Sequence, residues 1–157
     1  MQENTTTGYT ATDGRFVEGY VMKVVLLEPE KVSQIIEIEN NLKSMQKVVG
    51  GLIEAVYPWE EKVCLVCNDE GKLESLPLNR YVAEMGDAIA GSCFICGLGE
   101  EDFCSLTDEQ AARYAEKFRL SHEFIQTPHG ILVREYEPRT EPVQNKKTTK
   151  KRSEPAR

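Results

Sequence analysis

Apolar residues along the chain fall into short runs with two different periods. Val21 to Leu27 (VMKVVLL) is apolar and β-branched almost throughout, which predicts a strand buried on both faces, and Glu28-Pro29-Glu30-Lys31 ends it with a turn. Ser33 to Glu39 alternates, with Ile36 and Ile38 on one face and Glu37 and Glu39 on the other. This period-two pattern predicts a half-buried strand hairpinned to the first, with Ile35 interrupting it. Asn40 or Asn41 then caps a helix of about two turns, in which Leu42, Met45 and Val49 recur at helical spacing and Gly50-Gly51 is the stop.

Leu52 to Tyr57 predicts the next strand, closed by Pro58. Val63 to Cys67 and Lys72 to Leu76 flank Asn68-Asp69-Glu70-Gly71, whose residues suit a hairpin turn. Pro77 to Tyr81 leads through a Gly86-Asp87 turn to a largely buried strand at Ile89 to Cys96. The strongest helix signal follows. Thr107 and Gln110 have capping-box spacing, Asp108 and Glu109 sit where the helix dipole favours anions, and Ala111, Tyr114, Ala115 and Phe118 form one apolar stripe. Glu123 to Gln126 and Ile131 to Glu135 predict a late hairpin around Thr127-Pro128-His129-Gly130. The sum is an α+β domain with a mainly antiparallel or mixed sheet of about five strands and two helices. It runs from residue 22 to 138, between a flexible leader at 1–21 and a basic disordered tail at 139–157.

Composition supports one folded unit: 157 residues, 40% hydrophobic and 29% charged, belong to a globular chain. No apolar stretch approaches the roughly 18–20 residues of a membrane span, and MQENTTTGYT lacks the basic start and apolar run of a signal peptide. The expected location is the cytoplasm, with no membrane contact. The formal charge of -7 conceals an asymmetry, because Gln144 to Arg157 hold six Lys and Arg against Glu154 alone, leaving -12 on residues 1–143. So acidic a body repels phosphate backbones. Nucleic acid is therefore expected, if anywhere, at the tail through Lys146, Lys147, Lys150, Lys151 and Arg152; the simpler reading of that tail is a solvated end.

MKVVLLEPEK at Met22, VVGGLIEAVYP at Val48, LVCNDEGKLESLPLNR at Leu65, DAIAGSCFICGL at Asp87 and EEDFCSLTDEQ at Glu100, in that order, resemble a bacterial domain family of unknown function. Its members occur in phages, plasmids and conjugative elements, chiefly of Gram-positive hosts. The resemblance covers Met22 to Phe118 and implies no reaction and no catalytic residues. It also implies a start near Met22.

Cys64-x-x-Cys67 and Cys93-x-x-Cys96 have spacing near that of four-cysteine zinc ribbons. Against zinc, VCLVC falls in a predicted strand, where residues i and i+3 point to opposite faces and cannot share a metal without a bulge. Buried free thiols are the expected state, with no disulfide in a reducing compartment and no cofactor. His122 and His129 lie in no Cys/His motif, and neither GxxxxGK[ST] nor GxGxxG occurs, so no enzyme is expected. Asn79 and Arg80 are the remaining candidates. An amide beside a guanidinium could read a base edge and hold a phosphate or carboxylate, with Tyr57, Trp59 or Tyr81 to stack; the plainer reading is a turn cap and an ion pair.

The expected function is that of a non-enzymatic accessory protein of a phage or conjugative element that binds a host or element protein, modulation of host defence included. One alternative is sequestration of a small nucleotide signal around Asn79 and Arg80. Another is a zinc-stabilised, nucleic-acid-associated module using Cys64, Cys67, Cys93 and Cys96. Because both terminal segments lack apolar periodicity, a chain cut to residues 22–138 should keep the melting temperature of the full chain within a few degrees in a thermal scan.

Overall fold

The computed structural model describes residues 21–138, so the leader (save Val21) and the basic tail lie outside the described residues. A main sheet is built from β1 (Val21–Leu27), β2 (Gln34–Glu39), β3 (Ile53–Val56), β4 (Val63–Asn68) and β7 (Cys93–Leu98) in the order β2-β1-β7-β4-β3, and the short β8 (Phe103–Cys104) pairs with β7. Every pairing is antiparallel. β5 (Leu78–Val82) and β6 (Asp87–Ala90) form one small sheet, β9 (Ser121–Thr127) and β10 (Gly130–Tyr136) another. The α+β class, the two helices and the late hairpin are as the periodicity requires.

Both faces of the main sheet are buried, which explains the near-continuous apolar runs of β1, β4 and β7. On one face Met22, Val24, Cys64, Val66, Phe94 and Cys96 pack beneath α1 (Leu42–Val49) through Met45 and Val49. On the other, Val25, Leu27, Val63, Leu65, Cys67, Cys93 and Ile95 pack against Ala111, Tyr114 and Phe118 from α2 (Asp108–Lys117) and its C-cap. Asn41 caps α1, accepting from the Ser44 N–H at 2.7 Å, and Gly50 closes it in the left-handed region at φ 80°. Thr107 and Gln110 form the reciprocal capping box of α2.

Three expectations are corrected. Lys72 to Leu76 is a run of tight turns rather than a strand, with the Glu74 N–H donating to Glu70 O and the Leu76 N–H to Gly71 O. Its residues up to Ser75 are all exposed, so no alternation of burial favours a strand, and both edges of β4 are already taken by β3 and β7. The strand expected at Ile89 to Cys96 is divided into β6 and β7 by Gly91, at φ 86°, where a Cβ would lie 2.7 Å from Leu76 Cδ1. The segment read as a lead-in, Pro77 to Tyr81, contains β5.

The β4–β7 register sets Cys64 opposite Cys96, with their sulfurs 3.7 Å apart. Cys67 and Cys93, three positions along in opposite directions, lie in the other core. The apparent zinc pattern is thus two thiol couples on opposite faces of one sheet, and no group of three or more metal-ligating side chains converges among the described residues. Burial, with the nearby Glu54 and Asp69 carboxylates, raises the Cys67 thiol to about 11, so it is a poor nucleophile at neutral pH. The purified protein should contain no stoichiometric zinc by elemental analysis and should keep its melting temperature with a chelator. In native buffer, half-exposed Cys104 should react with a thiol reagent at least about tenfold faster than the four core thiols.

Candidate functional site

β5 carries the two residues singled out by the sequence. In a regular strand neighbouring side chains point to opposite faces. Here the register with β6 shifts between Leu78 and Tyr81, and both Asn79 and Arg80 are fully buried. The Asn79 amide donates to Leu27 O and Gly91 O, both at 2.9 Å. Arg80 donates from Nε to Phe118 O at 3.1 Å, from Nη1 to Glu28 O at 3.2 Å and Asn79 Oδ1 at 2.9 Å, and from Nη2 to Lys31 O at 2.6 Å. No ion pair among the described residues includes Arg80. Its counter-charge is a set of carbonyl dipoles, one of them at the negative end of α2.

The expected ligand pocket around Asn79 and Arg80 is therefore not formed, since their polar atoms face backbone rather than solvent. The structure does not gather the aromatic candidates about them either. Tyr57 is exposed just past edge strand β3, and Trp59 packs against Tyr114 and Phe118 with ring centroids 4.8 and 6.1 Å away. Tyr81, half-buried, contributes its backbone N–H to the next contact.

That contact attaches the hairpin. Tyr81 N–H donates to His122 Nδ1 at 2.8 Å, and His122 Nε2 lies 3.5 Å from the Glu135 carboxylate. An accepting Nδ1 requires the neutral ring with its proton on Nε2. Burial, then the charge of Arg80, holds the His122 pKa below the ordinary value, with Glu135 opposing the shift. His122 borders two open clefts of about 660 and 520 Å³. Their cations are already paired, Lys117 with Glu84 at 2.8 Å and Arg134 with Glu123.

On the same face of the hairpin, an apolar trough of about 340 Å³ runs between the two small sheets, with Leu78, Tyr81, Ala88, Phe124, Ile131 and Val133 lining it and Lys72, Gly86 and Asp87 completing it. Ile131 remains 58% exposed. The sequence pattern gave the strands of this hairpin but not the trough, which forms only when β9 meets β5. A separate polar cluster clamps α2. Glu61 accepts two hydrogen bonds from Arg113 and one from the Tyr114 hydroxyl, which bring its carboxyl down to about 2. Among the described residues, neither His122 nor Glu61 is hydrogen-bonded to a cysteine thiol or to a serine or threonine hydroxyl.

Residues 22–119 match a family model described as "Domain of unknown function (DUF3846)". No curated protein and no solved structure matches the chain. The match stops one residue past Phe118, so β9, β10 and the trough wall they supply lie beyond it.

Two outcomes test this geometry. Arg80→Met should lower unfolding stability by about 3 kcal/mol or more in urea titration, because three backbone carbonyls lose a donor at about 1–3 kcal/mol each. The folded state prefers neutral His122, so its contribution is complete above the unfolded pKa near 6.5. It should be lost as pH falls from there towards the lower folded value. Melting temperature should accordingly decline between pH 7 and 5. His122→Asn, which keeps an acceptor without titrating there, should flatten that decline.

Proposed function

We propose, for a chain that belongs to the DUF3846 family of domains of unknown function, a non-enzymatic role in which a phage or conjugative element uses it to bind another protein. The observation that carries this reading is the apolar trough, where Ile131 stands exposed and Val133 half-buried beside Leu78, Tyr81 and Phe124. Exposed apolar surface rimmed by polar groups is characteristic of a docking site. Chemistry has less support. The ring nitrogens of His122 are engaged by Tyr81 and faced by Glu135, and four of the five cysteines lie in the core.

The mobile-element setting rests on the resemblance of the five sequence motifs, and a component of a host defence is the class of partner favoured for a small accessory protein in that setting. Sequestration of a nucleotide is the weaker reading. The clefts beside His122 present Glu30, Glu84, Glu123 and Glu135, and their Lys117 and Arg134 are paired, so a phosphate would meet net negative charge. Proximity labelling in a bacterial host decides between surfaces. A partner marked by the wild type should be lost with Ile131→Glu and kept with Leu132→Glu, which alters the opposite face of β10. Equal labelling by all three proteins would remove the trough from consideration.

A further inference from the structure

What occupies the trough can be argued from charge and from the strands that wall it; this step rests on the binding reading above. Residues 21–138 hold 21 Asp and Glu against 11 Lys and Arg, a formal charge of -10. The cations nearest the trough and its neighbouring clefts are neutralised locally: Lys72 by Asp87 at 2.6 Å, Lys117 by Glu84, and Arg134 by Glu123. Among the described residues, Glu135 is paired with His122 alone, which is held neutral. The field over the trough is consequently negative, and it favours a cationic visitor.

Three occupants can be compared. The chain's own residues 139–157 are cationic, but apart from prolines their only apolar side chains are Val143 and Ala156, too little to fill a site lined by Leu, Tyr, Phe, Ile and Val. A second copy would bring the same acidic domain against itself. A segment of another protein combining a large apolar side chain with flanking Lys or Arg satisfies both conditions. An extended segment suits the walls better than a helix, because β10 pairs only with β9 among the described residues, which leaves its other edge without a strand neighbour.

We infer that the trough between β5–β6 and β9–β10 binds an extended, basic protein segment anchored by one large apolar side chain. The apolar anchor supplies affinity by leaving water, and the flanking cations supply orientation and a salt-dependent association rate.

A display selection of random dodecapeptides on the full-length chain tests this, with recovered sequences synthesised and measured by fluorescence anisotropy. The expected peptides carry Leu, Ile, Phe or Trp flanked by Lys or Arg. They should weaken at least about tenfold on Ile131→Glu, change less than about twofold on Leu132→Glu, and weaken with added salt. Recovery of acidic or uncharged peptides that still depend on Ile131 would overturn the charge assignment and leave the binding function standing. Peptides indifferent to both substitutions would overturn the trough as a site and the proposed function with it. A gain in peptide affinity on removing residues 144–157 would identify the chain's own end as the occupant. Loss of peptide binding as the chain dimerises would identify a second copy; either result would replace the inferred partner.

Discussion

A guanidinium shut away from water and from carboxylates is costly unless it finds acceptors, and Arg80 finds them in three backbone carbonyls and one amide oxygen. Its acceptors come from the β1–β2 turn at Glu28 and Lys31, from the end of α2 at Phe118 and from its neighbour Asn79, which in turn holds Leu27 and Gly91. Ser121 adds a second bond to Lys31 O at 3.0 Å. One side chain thereby fixes the turn that closes the first hairpin and the end of the helix covering one core, and Ser121 ties the start of the late hairpin to the same turn. The carbonyls could otherwise be satisfied only by water in a place that excludes it.

The same accounting explains why two consecutive polar residues sit inside a strand. A register shift in the β5–β6 pairing turns both side chains inward, and Gly91, in a left-handed conformation, lets the chain turn from β6 into β7 while offering its carbonyl to Asn79. These features are interdependent. Without the shift one of the pair would point outward, and without the turn at Gly91 the amide would lose an acceptor.

Strand and helix content was legible because burial imposes a period on the sequence. Met22 and Val24 against Val25 and Leu27, or Met45 and Val49 on α1, can be assigned to faces from spacing alone. The opposed faces of Cys64 and Cys67 follow from the same rule, and it is the strand, not the cysteine spacing, that decides their surroundings. Lys72 to Leu76 misled because a good turn at Asn68 to Gly71 implies a returning strand only if the preceding strand has a free edge. That is a property of the whole sheet and not of the segment. The role of Arg80 was hidden for a related reason: its acceptors are backbone carbonyls 38 to 52 residues away, and carbonyls leave no mark on composition.

The division between the matched region and the late hairpin bears on where function resides. Arg80 and Asn79 lie within residues 22–119, and four of their five backbone acceptors lie at or before Gly91, with Phe118 at the far boundary. The polar core can therefore form largely from the matched domain. The hairpin adds little to that core beyond Ser121. It contributes His122 to the Tyr81 backbone, and Phe124, Ile131 and Val133 to the trough. A two-stranded sheet is marginal on its own, and this one gains its support where β9 packs on β5 and where Ser121 bonds Lys31 O. Were its purpose structural, its apolar residues would be turned into the domain. Instead Ile131 and Leu132 remain more than half exposed, one towards the trough and one away from it. An apolar face left exposed on a segment beyond the matched region agrees with the binding role proposed for the trough, and it is not what support of the fold would require.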